Sequence, residues 1–239
     1  MIKDILFLII LITACQSPAS ESQTDEEENV KATEQDTFPR IEVDTAYLMG
    51  KFNPATHVDF IRIEAKYTDK DEVYLRKDAY AKFKEMYEAA LQDSVKLLIR
   101  SATRNFQAQK GIWEAKWKGE RILSDGKNAA TDYPDPKARA LKILEYSSMP
   151  GTSRHHWGTD IDLNAFNNKY FESGEGLKIY TWLLENAHKY GFCQPYTAKD
   201  YNRPNGYNEE KWHWSYIPVA RQLTDQAKAT LKNEMIQGF

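Results

Sequence analysis

The sequence has only two cysteines, Cys15 and Cys193, which leaves no disulfide framework of the kind that staples small secreted domains. Histidine is also scarce, with five in 239 residues. No apolar run reaches the roughly 18 residues that a membrane-spanning helix needs, and the longest, Ile5 to Ile12, stops well short. Charge of one sign does not dominate: the formal net charge is -3, which gives no reason to expect a nucleic-acid partner. No internal repeat is visible, so solenoids and propellers are excluded. What remains is a chain long enough for one ordinary domain with extra sequence at an end, and 41% hydrophobic residues supply a core.

The extra sequence lies at the N-terminus. "MIKDILFLIILITAC" gives Lys3, an apolar stretch and small residues before Cys15, the pattern of a secretory signal. Its ending, Ile12-Thr13-Ala14-Cys15, resembles the bacterial lipobox, which implies that residues 1–14 are a lipoprotein signal peptide and that Cys15 carries lipid. From Gln16 to Asp36 there are seven acids and one lysine and almost no large apolar side chains. Such a segment cannot bury enough surface to fold, so residues 15–38 read as a lipidated cysteine followed by an acidic flexible tether. The expected product is an extracytoplasmic lipoprotein held at a membrane by Cys15, with residues 39–239 forming the soluble domain. Cys193, set among aromatics in "YGFCQPY", is expected as a buried structural thiol without a partner.

Within the domain, helix and strand patterns alternate. "YLRKDAYAKFKEMYEAALQ" spaces Leu75, Ala79, Phe83, Met86 and Ala90 as one face of an amphipathic helix. "VKLLIRSAT" reads as a strand, and a helix is expected to open near Asn105. Pro136 marks another helix start, with Leu141 and Leu144 facing inward. A helix ending at Gly191 and a last helix from Val219 complete the pattern. The fold class expected is α+β, a small mainly antiparallel sheet covered by helices.

The chemistry concentrates in "SRHHWGTDIDLN", Ser153 to Asn164. "GTDIDLN" reads as a strand that turns Asp160 and Asp162 to one face. The Trp157-Gly158 turn lets the chain fold back and bring His155 towards them. A second cluster, "EEKWHWSY", contains Glu210 and His213, which a bend before Trp212 aims at one cavity, with Trp212 and Trp214 packed into the core. Two histidines and an aspartate drawn from separate segments match the needs of a catalytic zinc ion, with an open position for water and a glutamate to take its proton. The same residues also allow a hydrogen-bonded turn histidine and a half-buried core histidine.

The two segments resemble the signatures of zinc D-alanyl-D-alanine carboxypeptidases of the VanY type, in which Ser-x-His-x6-Asp is followed later by Glu-x-Trp-His. Ser153, His155, Gly158 and Asp162 match the first and Glu210, Trp212 and His213 the second. A third family element, an arginine with a glutamine five residues on, is similar to Arg104 and Gln109. The resemblance runs over about residues 70 to 217 in order. It implies a single catalytic domain of the LAS/hedgehog-like fold, with His155, Asp162 and His213 as ligands of Zn2+ and Glu210 as catalytic base. Arg104 would orient substrate or stabilise the oxyanion, and Gln109 and Ser153 would bind peptide backbone or a terminal carboxylate. The implied substrate is the peptidoglycan stem peptide, cleaved at its terminal D-alanine. The same motifs also serve L,D-carboxypeptidases and L-alanyl-D-glutamate endopeptidases, and a wall-binding lipoprotein without catalysis is the reading from another class. His156 stands where the family often has glutamine, and is expected off the metal because neighbours on extended chain point apart. Asp160 stands where alanine is common; choosing Asp162 over it rests on the family's spacing.

Overall fold

The computed structural model describes residues 39–239. The signal peptide, the lipidated Cys15 and the acidic tether expected over residues 1–38 lie outside the described residues. Among the described residues no helix is long and apolar enough to cross a membrane.

After a single helical turn, α1 (Thr45–Leu48), two short strands, β1 (Phe60–Arg62) and β2 (Tyr74–Arg76), pair antiparallel. Helix α2 (Lys77–Gln92) follows directly and buries Ala79, Tyr80, Phe83, Met86, Tyr87 and Ala90 at three- and four-residue steps. The helix expected to begin at Tyr74 therefore starts three residues later. Leu75 is inside, but as a strand residue opposite Ile61, and the Arg76 N–H donates to the Gly158 carbonyl instead of entering a helical ladder.

Strand β3 (Ile99–Ser101) is shorter than the strand expected across residues 95–103, and its pairing carries a register irregularity between Ile99 and Ser101. Helix α3 (Phe106–Trp117) opens where expected, with the Asn105 carboxamide accepting from the Ala108 N–H. The short α4 (Ala129–Asp132) leads to α5 (Pro136–Ile143), capped by Asp135 with Pro136 at its first position. Here one expectation fails. Leu144 is buried, but Leu141 is 46% exposed, and Ala140 and Ile143 supply the rest of the inner face. The helix is only two turns long and rests on α3, so positions 140, 143 and 144 form the contact stripe and 141 faces away.

Strand β4 (Asp160–Leu163), helix α6 (Gly174–Asn186), the two-residue β5 (Phe192–Cys193), strand β6 (His213–Tyr216) and helix α7 (Ile217–Thr230) complete the chain. The last helix starts at Ile217, two residues before the expected Val219, because Pro218 fits its first turn. The main sheet runs β3-β4-β6-β5, with every pairing antiparallel. The expected α+β class with a small antiparallel sheet covered by helices is borne out. Cys193 corrects its expectation: it is only half-buried in β5 and is not without a partner.

Two apolar clusters hold the fold. The larger joins α2, the central strands, α6 and α7, and includes Trp157, Trp212 and Trp214. The smaller, around Trp113, Ala140, Ile143 and Met149, holds α3 to α5 together. A polar cleft lies between the central strands and α3. On this packing, Ile143→Ala should cost about 2–5 kcal/mol of stability and Leu141→Ala no more than about 0.5 kcal/mol. Urea denaturation checks both; equal losses at the two positions would show that α5 packs differently.

Candidate metal centre and active site

Strands β4 and β6 put the chemistry in register. Asp162 lies opposite His213 and Asp160 opposite Ser215. Because side chains alternate along a strand, both aspartates share the face on which His213 stands. His155 arrives from a single 3-10 turn, Arg154–Trp157, that ends at Gly158 with φ +71°. A Cβ there would collide with the Phe60 ring, so this reversal needs glycine for both its dihedral and its space. Glu210 reaches the same place through a turn in which the His213 N–H donates to the Glu210 carbonyl.

The two imidazoles stand at 85° with centroids 4.8 Å apart. His155 Nδ1 lies 2.8 Å from the Ala102 carbonyl oxygen, which accepts only if that nitrogen carries the proton. Nε2 is thereby left bare, 3.4 Å from Asp162 Oδ2. In His213 the nitrogens exchange duties. Nε2 bonds Asp160 Oδ2 at 2.8 Å, and Nδ1 faces Asp162 Oδ1 at 3.2 Å and Glu210 Oε2 at 3.3 Å. Ligand atoms of His155, Asp162 and His213 all lie within 4.8 Å of one another, and all three residues are buried. Asp162 Oδ1 is buried and meets no donor among the described residues other than His213 Nδ1. A buried carboxylate flanked by two imidazole nitrogens, each ring fixed by a partner on its far side, is a donor set that can hold a metal cation.

Asp160 is not part of that set. Its oxygens accept from Thr159 Oγ1 (2.7 Å), Ser215 Oγ (2.7 Å), Arg154 Nε (2.9 Å) and His213 Nε2 (2.8 Å). Burial by itself would raise its pKa, but Arg154 and His213 outweigh it and hold the carboxyl well below the usual carboxylate range. Arg154 is buried too, and its remaining donors go to Thr224 and Ser215. Asp160 thus orients His213, and Arg154 anchors Asp160.

His156 is fully buried and far from a ligand's role. It bonds the Arg104 carbonyl through Nδ1 and accepts from the Gly151 N–H through Nε2, while burial pushes its pKa down to about 3. Arg104 donates to Ser101 Oγ and Gln109 Oε1 and lies 3.4 Å from Asp162 Oδ2. Gln109 is engaged at both ends, since its Nε2 donates to the Ser148 carbonyl, and in this structure it props Arg104. Ser153 Oγ is buried, lines the cleft and has no hydrogen-bond partner among the described residues.

The electrostatics divide the two histidines. Burial and the nearby Arg104 lower the pKa of His155, so it is neutral near pH 7. Burial also opposes a charge on His213, but Asp160, Asp162 and Glu210 outweigh it and keep that ring protonated while no cation is bound. Glu210 is raised above 4.5 by burial.

A family model described as "VanY: D-alanyl-D-alanine carboxypeptidase" matches residues 72–219. This chain belongs to the VanY family. The D-alanyl-D-alanine carboxypeptidase of Enterococcus faecalis is 26% identical over 193 residues, 81% of this chain and 65% of that protein. The putative carboxypeptidase YodJ of Bacillus subtilis is 28% identical, covering 71% of this chain and 56% of that one. The chain thus spans somewhat over half the length of these VanY relatives. Among solved structures, the LdcB LD-carboxypeptidase shares the fold, with a TM-score of 0.52 and 23% identity over 78% of this chain and 79% of that one.

Sequence reasoning missed Arg154, although it lies inside the quoted motif. It also missed Lys116, whose signal is helical spacing: it shares the buried face of α3 with Gln109 and Trp113. Tyr196, whose ring centroid is 4.7 Å from that of His213, comes from a loop with no periodic signal. Asp160→Ala strands a buried guanidinium and should cost about 3–5 kcal/mol of stability. An apolar double replacement, Arg154→Met with Asp160→Leu, should recover much of that loss in the same urea titration; recovery of none would mean that the pair is not the anchor.

Proposed function

We propose that this chain is a zinc-dependent D-alanyl-D-alanine carboxypeptidase acting on peptidoglycan stem peptides. The observation that carries the proposal is the convergence of His155 Nε2, His213 Nδ1 and the Asp162 carboxylate beside the buried carboxylate of Glu210. Two nitrogens and an oxygen suit zinc, and a three-residue set leaves a position for solvent. When bound, the ion would polarise the peptide carbonyl and lower the pKa of a coordinated water.

The chain's own residues then divide the work. His155 and His213 are held in fixed tautomers by the Ala102 carbonyl and by Asp160, so neither ring reorients during turnover. Glu210, with a carboxyl raised by burial, accepts a proton from the attacking water and can return it to the departing amine. Arg104 is fixed by Ser101 and Gln109 with its guanidinium beside the ligand carboxylate, where a developing oxyanion gains from a permanent positive charge. Ser153 Oγ offers an uncommitted donor to the peptide. A wall-binding module has no use for a base beside its metal, and Glu210 therefore favours catalysis. Anchoring at a membrane through Cys15 belongs to the same proposal and rests on the sequence alone.

Glu210→Gln should lower the release of D-alanine from a pentapeptide ending in D-Ala-D-Ala by roughly 10²- to 10⁴-fold. Zinc content, measured by elemental analysis, should stay at the wild-type level because Glu210 is not a ligand. No D-alanine from wild type, or an undiminished rate in the variant, overturns the proposal. Because His213 is protonated near pH 7 without a cation, zinc binding should displace about one proton. Titration calorimetry in two buffers of different ionisation enthalpy reads this directly, and a heat that does not depend on the buffer contradicts it. Affinity should fall as pH drops, since protons then compete for Nδ1.

A further inference from the structure

Lys116 projects from α3 into the same cleft, lined also by Arg104, Arg121, Ser147 and Glu210. It is only 8% exposed, and its single hydrogen bond runs from Nζ to Ser147 Oγ at 2.6 Å. No carboxylate pairs with it among the described residues. An ammonium carries three donors, so two are unused, and a buried lysine without an acid is costly for the free protein. The surroundings make that cost larger. Burial and then Arg121 push its pKa down to about 8, with Arg104 adding to the repulsion and Glu210 opposing it. Nothing in the packing of α3 calls for a charge here, since its other inward residues, Phe106, Gln109 and Trp113, are neutral.

We infer that Lys116, with Arg121 at the cleft mouth, forms a subsite for a carboxylate of the peptide substrate. This rests on the peptidase reading above and refines it by naming a group that the substrate must carry. The cation is buried, so it is dehydrated in advance, and a carboxylate entering the cleft supplies both the counter-charge and acceptors for the two free donors. Gln109 and Lys116 are seven residues apart on one face of α3, about 10 Å along the axis. The subsite is therefore displaced along the cleft from the Arg104 end. Two carboxylates of a stem peptide have the required chemistry, the C-terminal one and one on a side chain.

The test is equilibrium binding by titration calorimetry to the metal-free protein, independent of turnover. Three pentapeptides are compared: one with all carboxylates free, one amidated at the C-terminus, and one amidated at its side-chain carboxylates. Lys116→Met should weaken the all-acid peptide by roughly 10- to 100-fold. For the peptide whose amide has removed the partner, the variant and wild type should bind alike, and this identifies which carboxylate docks. Lys116→Arg should retain most of the affinity. Thermal unfolding provides the control: because the lysine is an unpaired buried charge, Lys116→Met should melt no lower than wild type. Equal weakening of all three peptides, no weakening of any, or a lowered melting temperature overturns the inference. Release of D-alanine by wild type is scored separately, so loss of the subsite and loss of the peptidase reading cannot be confused.

Discussion

The pairing of β4 with β6 is the constraint on which the site depends. It places Asp162 across from His213 and Asp160 across from Ser215, so that one imidazole is held between two carboxylates of the neighbouring strand. A slip of one residue would turn both aspartates to the opposite face and leave His213 with neither. The apolar partners in the same ladder, Ile161 and Trp214, are fully or almost fully buried, which pins the register from the other side of the sheet. Hydrophobic burial thus fixes the geometry that the polar face uses.

That polar face concentrates charge where a protein of this size ordinarily avoids it. Arg154, Asp160, Asp162, Glu210, His213 and Lys116 are all buried. Most are arranged in pairs that compensate one another, and Asp160 meets its four donors in full. The exceptions are informative. Among the described residues Ser153 Oγ lacks a hydrogen-bond partner and Lys116 lacks an acid, and both border the cleft that Asp162 also lines. Unsatisfied buried groups destabilise a fold unless something outside the chain completes them, and these two lie where a ligand in the cleft can do so.

The site is layered around its histidines. The ring nitrogens turned away from the cleft are held by a backbone carbonyl for His155 and by Asp160 for His213, and Asp160 is in turn held by Arg154, which reaches Thr224 on α7. His156 ties the Arg104 carbonyl to the Gly151 amide and so braces the loop that carries Arg104. The helix α3 supplies the opposite wall, on which Gln109 supports Arg104 and Lys116 awaits an anion.

Local patterns in the sequence were enough for the elements whose signals are local. The stripe through Ala79, Phe83, Met86 and Ala90, the cap at Asn105, Pro136 at its helix start and the alternation of Asp160 and Asp162 each follow from short-range sterics or periodicity, and each is found. The VanY motifs also named residues that meet in space. What the sequence could not decide depends on partners distant along the chain. Tyr74 to Arg76 became a strand because β1 and the Gly158 carbonyl were there to pair with it, and Leu141 faced outward because α3 selected a different stripe. The separate duties of Asp160 and Asp162, alike in sequence and on one face, were set by Arg154 and His155 arriving from the preceding turn. The sequence by itself determined which residue types were available for the chemistry and the local turns that present them. Only the tertiary structure decided which carboxylate meets which nitrogen, because a hydrogen bond or a buried charge is settled by distances between segments that no local spacing encodes.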